Sequence, residues 1–128
     1  MKRLRLIRHI FGFRGFNDSL KLALEGMRYL FLYHRNMRII FLCGIAAFLA
    51  GVYFRLNGLE LAVLCLAITV VFVAEIFNTA IELVIDMLTE KYHTLIKLVK
   101  DIAAAVVLLA SLNAVAIGYA LFVKRIFP

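Results

Sequence analysis

The sequence predicts an all-α membrane protein, with three membrane-crossing helices preceded by an amphipathic helix lying on the membrane surface. Three observations carry this prediction. Hydrophobic residues make up 65% of the 128 positions, against roughly 45–50% in a soluble domain. They gather into three long apolar stretches, which a chain of this size cannot shield from water. Charged residues flank those stretches, and the bases concentrate near the N-terminus.

Residues 1–38 are expected to be cytoplasmic and interfacial. Residues 2–16 are basic and aromatic. They lack the uninterrupted apolar core and small-residue cleavage site of a signal peptide. From Ser19 to about Tyr33, Leu20, Ala23, Leu24 and Met27 alternate with Lys21, Glu25 and Arg28. That spacing predicts an amphipathic surface helix, capped by Asn17, Asp18 or Ser19.

The first span is expected over about residues 39–55, with Arg38 and Arg55 extending it by snorkelling. Arg55–Glu60 reads as a compact turn signalled by Asn57-Gly58. The second span covers about 59–86, apolar over Leu61–Ala74 and polar after that. Thr89–Asp101 reads as a polar connection. The third span, about 102–123, is rich in the small residues that allow tight helix contacts in a membrane. With no repeat and no low-complexity linker, residues 1–128 form one domain.

Charge sets the expected topology. With the N-terminus inside, twelve Lys/Arg lie inside and only Arg55, Lys124 and Arg125 outside. The bias favours a cytoplasmic N-terminus and an external C-terminus. The net charge of +7 brings no nucleic-acid motif or aromatic platform with it, so a nucleic-acid partner is not expected. Cys43 and Cys65 have no zinc spacing and read as small buried hydrophobes.

The functional signal is the stretch EIFNTAIELVID, Glu75–Asp86. At about 100° per residue, Glu75, Asn78, Glu82 and Asp86 fall within an arc of roughly 80°, with Thr79 beside them. The second helix therefore carries a polar stripe from the membrane interior to the cytoplasmic surface. Ionisable groups within a span are costly and usually mark function. The structural alternative is pairing with bases to hold helices together, but bases are few at the depth of Glu75. Two carboxylates near the interface suit a divalent cation such as Mg²⁺. A deeper one can take a proton from a lipid hydroxyl. Lys100 and Asp101 stand where phosphate and ribose would be met. A proton or ion pathway is the competing use of a buried acid.

These residues resemble a known family. AEIFNTAIELVID, then Tyr92-His93, then Lys100-Asp101 before an Ala-rich span, resembles the prokaryotic diacylglycerol kinase and undecaprenol kinase family. SLKLALEGMRYLF and RNMR resemble its amphipathic helix and the entry to its first span. The resemblance covers roughly residues 17–125. It implies a homotrimeric, multi-pass protein of the bacterial inner membrane that moves the γ-phosphoryl group of ATP, with Mg²⁺, onto a lipid alcohol. Undecaprenol is favoured as acceptor, diacylglycerol next. By position, the resemblance makes Glu75 the general base and Glu82 a metal ligand. Asn78, Asp86, Lys100 and Asp101 would line the ATP and phosphate site, with Tyr92 and His93 near the adenine.

Three positions depart from the family pattern. His34 stands where a metal-binding Glu is usual, and an imidazole suits Mg²⁺ less well. It is carried as a second metal position, with a plain interfacial residue as the other reading. Phe77 and Leu24 also differ, in ways that would reshape a lipid pocket. An inactive scaffold of the same family and an ion pathway remain the alternative functions.

Overall fold

A computed structural model describes residues 15–88 and 94–127. Among the described residues there are four α-helices and no strand: α1 (Phe16–Tyr33), α2 (Arg35–Tyr53), α3 (Gly58–Leu88) and α4 (Thr94–Ile126). Their contacts divide the chain into two units, Met1–His34 and Arg35–Pro128.

In the first unit, α1 starts earlier than expected. Gly15 is its N-cap, and its carbonyl accepts from the amides of Asp18 and Ser19 at 2.9 and 3.2 Å. Asn17, Asp18 and Ser19 therefore lie inside the first turn, and no side chain caps the helix. Asp18 still favours the helix there by facing its positive end. The helix ends at His34, which is extended and donates its amide to the Leu30 carbonyl at 2.9 Å. None of the α1 residues is buried.

In the second unit, α3 packs against both α2 and α4. Small residues make the approach possible. A Cβ on Gly44 would stand 2.9 Å from Ile68 Cγ2, and one on Gly51 2.9 Å from Leu64 Cδ2. These glycines lie seven residues apart, two turns along one face of α2. Ala67 and Ala74 of α3 and Ala103 and Ala110 of α4 are buried. Phe41 meets Phe72 edge-on at 6.1 Å, and Phe54 meets Phe122 at 5.9 Å. Large side chains such as Leu66, Val70, Leu108 and Leu109 stay exposed. In a bilayer that costs nothing, because lipid tails are as apolar as leucine.

The α2–α3 turn closes both helix ends. Arg55 takes the left-handed conformation, φ 56°. Its amide donates to the Val52 carbonyl at 3.1 Å and that of Leu56 to the Gly51 carbonyl at 3.0 Å, the two bonds of a Schellman ending. Asn57 then caps α3. Its Oδ1 accepts from the Glu60 amide at 3.0 Å, and Glu60 Oε2 accepts from the Asn57 amide at 2.8 Å. This is a capping box, with Asn in the usual Ser/Thr place. The Asn57-Gly58 signal located the turn, but the positive φ falls on Arg55, and Gly58 opens the next helix.

Among the described residues, three helices are long and apolar enough to cross a membrane: Arg35–Tyr53, Gly58–Met87 and Thr94–Ile126. At about 1.5 Å per residue, α3 and α4 reach roughly 46 and 50 Å. Both outrun a hydrocarbon core of about 30 Å. This corrects the expected polar connection, since Thr94–Asp101 is the first part of α4. A helix satisfies its own backbone, so it has no reason to stop at the hydrocarbon edge. Polarity there marks depth and not the helix end. An i,i+4 pair between Lys97 and Asp101 supports this turn.

Candidate active site

The polar stripe continues the packing face of α3. Leu64, Ala67 and Ala74 lead directly into Glu75, Asn78 and Thr79, and all six are buried. Glu75 is 4% exposed, Asn78 9% and Thr79 2%. One turn further on Glu82 is half-buried, and Asp86 is exposed. The row thus runs from packed interior to open surface over about 16 Å of helix rise.

Its buried part is incompletely paired. Asn78 Nδ2 donates to Glu82 Oε1 at 3.3 Å, and Asn78 Oδ1 is buried with no partner among the described residues. No hydrogen bond or ion pair to Glu75 is found among the described residues. A buried polar group without a partner costs free energy that a purely structural residue would not carry.

The exposed part is paired. Lys100 Nζ donates to Asp86 Oδ1 at 2.6 Å, joining α4 to α3. Asp101 pairs with Lys97 on its own helix, a partner the sequence reading did not single out. Tyr92 and His93 lie outside the described residues. His34 belongs to the first unit, where it is half-buried with its ring 5.7 Å from that of Tyr29. Among the described residues, no three His, Cys, Asp or Glu side chains form a ready metal cluster.

The opposite end of α3 holds a second polar group that sequence reasoning missed. Arg125 Nη2 donates to Glu60 Oε2 at 2.7 Å and its Nη1 to the Leu121 carbonyl at 2.9 Å. The N-x-x-E spacing of Asn57 and Glu60 was the available signal for half of this arrangement. Two apolar grooves, of about 280 and 410 Å³, lie along α2, one walled by Phe41, Phe48 and Phe72, the other by Cys43, Val71 and Ala114. Neither is lined by a residue of the stripe. Both cysteines are free; Cys43 is exposed and Cys65 half-buried, where both were expected to be buried.

Chemically, the stripe offers a proton acceptor at depth, an amide oxygen awaiting a partner, and carboxylates and an ammonium group towards the surface. The model of the prokaryotic diacylglycerol kinase family matches residues 21–122, which contain all of these groups. The chain belongs to that family. It is 40% identical over 101 residues to a diacylglycerol kinase of Synechocystis sp., a match covering 78% of this chain and 58% of that protein. It is 32% identical over 92 residues to an undecaprenol kinase of Bacillus subtilis, covering 72% of this chain and 75% of that protein. The chain thus spans little more than half the length of the first of these relatives.

Proposed function

We propose that the protein is a lipid kinase that transfers the γ-phosphoryl group of ATP to the hydroxyl of a membrane lipid. The observation that carries this reading is the buried Glu75, for which no partner is found among the described residues, one turn from the buried Asn78 Oδ1, which has none among them either. Membership of the prokaryotic diacylglycerol kinase family supports reading that pair as a reaction centre.

In this reading Glu75 takes the proton of the lipid hydroxyl as its oxygen attacks the γ-phosphorus. The bond to the bridging β-phosphate oxygen breaks and ADP leaves. Positioning and charge neutralisation supply most of the catalysis in such transfers. Burial suits Glu75 to this task, because water is excluded and the hydroxyl is the group it meets. Lys100 and Asp101 would hold phosphate and ribose, Asp86 would line the same site, and Tyr92-His93 would lie near the adenine.

The donor set fits Mg²⁺. Glu82 supplies a carboxylate and Asn78 Oδ1 an oxygen with no partner among the described residues, both hard ligands of the kind the ion takes. When bound there, Mg²⁺ would neutralise charge on the phosphates. His34 enters as a metal position through the sequence resemblance alone. The charge bias supports a cytoplasmic N-terminus in the inner membrane. The family resemblance supports a homotrimer. The loop lengths and RNMR resemble the undecaprenol branch of the family more than the diacylglycerol branch, which supports undecaprenol as acceptor.

The test uses the purified full chain in lipid nanodiscs with labelled ATP and either alcohol. Label is expected in both lipids, with the higher kcat/KM for undecaprenol. Label in neither would remove the enzyme assignment. A higher kcat/KM for diacylglycerol would reverse the acceptor preference.

A further inference from the structure

We propose that Asp86 is an internal competitor for Lys100: it occupies the ammonium group in the empty site and must release it when a nucleotide's phosphates arrive. This deepens the function proposed above and rests on Lys100 as a phosphate-binding residue.

The geometry is direct. Lys100 Nζ lies 2.6 Å from Asp86 Oδ1, and the two residues are fourteen apart on different helices. Beside them Lys97 pairs with Asp101. Each of these two ammonium groups is thus paired with a carboxylate. An arriving polyphosphate therefore meets no free positive charge at Lys100. It gains one only by displacing the carboxylate.

The exchange is physically easy. The Lys100 and Asp86 side chains are 39% and 64% exposed, so water screens their attraction and the pair is weak. Several phosphate charges close to the ammonium outweigh a single carboxylate. Asp86 then gains water in place of Lys100, since it is the most exposed member of the stripe. The deeper carboxylates cannot act in this way. Glu75 is buried, and the one partner found for the Glu82 carboxylate among the described residues is Asn78. The residue that the family resemblance places among the nucleotide's supports thus opposes nucleotide binding in the empty site, and its contact also ties α4 to α3 until the nucleotide takes over.

The experiment measures the affinity of the full chain in nanodiscs for a non-hydrolysable ATP analogue, without acceptor lipid, with and without Mg²⁺. Asp86→Asn is expected to bind about two- to fivefold tighter, the range set by an exposed pair. Asp86→Glu, which keeps a carboxylate for Lys100, should show no such gain. Lys100→Gln should bind more weakly, and Asp86→Asn should add nothing in that background. Weaker or unchanged binding by Asp86→Asn would overturn the proposal, as would a gain that persists without Lys100, which would make Asp86 a simple repelling charge. A loss confined to samples with Mg²⁺ would make it a metal ligand instead. If Lys100→Gln binds as the wild type does, the parent assignment of Lys100 fails, a result separable from any failure of the exchange. Thermal unfolding of each variant identifies any change due to misfolding.

Discussion

The two ends of α3 use the same residue types to opposite effect. At its start, Asn57, Glu60 and Arg125 satisfy one another, with the Asn57 and Glu60 backbone amides included. Towards its end, Glu75, Asn78 and Glu82 share a single long hydrogen bond among the described residues, and a buried amide oxygen is left over there. A carboxylate whose every neighbour is accounted for is a part of the framework. One that is buried without a partner among the described residues fits the proposed role of a site residue. Polar residues in an apolar helix therefore mean little by themselves; how completely they are satisfied separates support from site.

The largest expected effect lies at the unmatched end. Glu75→Gln should lower transfer to lipid by roughly 10²–10⁴-fold, the usual contribution of a general base, while nucleotide affinity stays close to the wild type. Parallel loss of binding and turnover would instead make Glu75 a structural residue, and the contrast between the ends would fail.

Next comes Glu82→Gln. It should raise the Mg²⁺ concentration for half-maximal activity by roughly 10–100-fold, the scale of losses at metal sites. An unchanged Mg²⁺ titration would place the ion elsewhere.

The closed end should respond in stability and not in chemistry. Arg125→Ala removes the inter-helix contact to Glu60 and should lower the midpoint of thermal unfolding, with turnover per folded molecule retained. Exchanging the charges, Glu60→Arg with Arg125→Glu, should recover part of the loss even though the capping box is broken. A fall in turnover at unchanged stability would give this end a catalytic role.

The smallest change sharpens the same point. Arg55 holds a positive φ that glycine adopts without steric strain. Arg55→Gly should stabilise by up to about 1 kcal/mol in denaturant or thermal unfolding, with no change in transfer. A destabilised variant would show that the Arg55 side chain anchors the turn.

The spans were legible because lipid solvation acts on composition. A run such as Leu61–Ala74 needs no partner to declare its surroundings. The stripe was legible because a helix has one period, so Glu75, Asn78, Glu82 and Asp86 had to share a face. Helix ends were less so. Gly15 displaced three better side-chain caps, and α4 begins at Thr94, within a segment whose polarity suggested a connection. Propensity is weak against the backbone bonds that a longer helix keeps.

Composition and period alone therefore determined that three apolar helices are long enough to span a membrane and that one of them bears acids along a single side. Whether each acid is buried, matched or exposed was decided only when α2 and α4 packed against α3. That packing brought Lys100 to Asp86 across fourteen residues and Arg125 to Glu60 across sixty-five. Local pattern fixes where a side chain points on its own helix, but its partners are set by contacts between segments, and no periodicity within one segment encodes them.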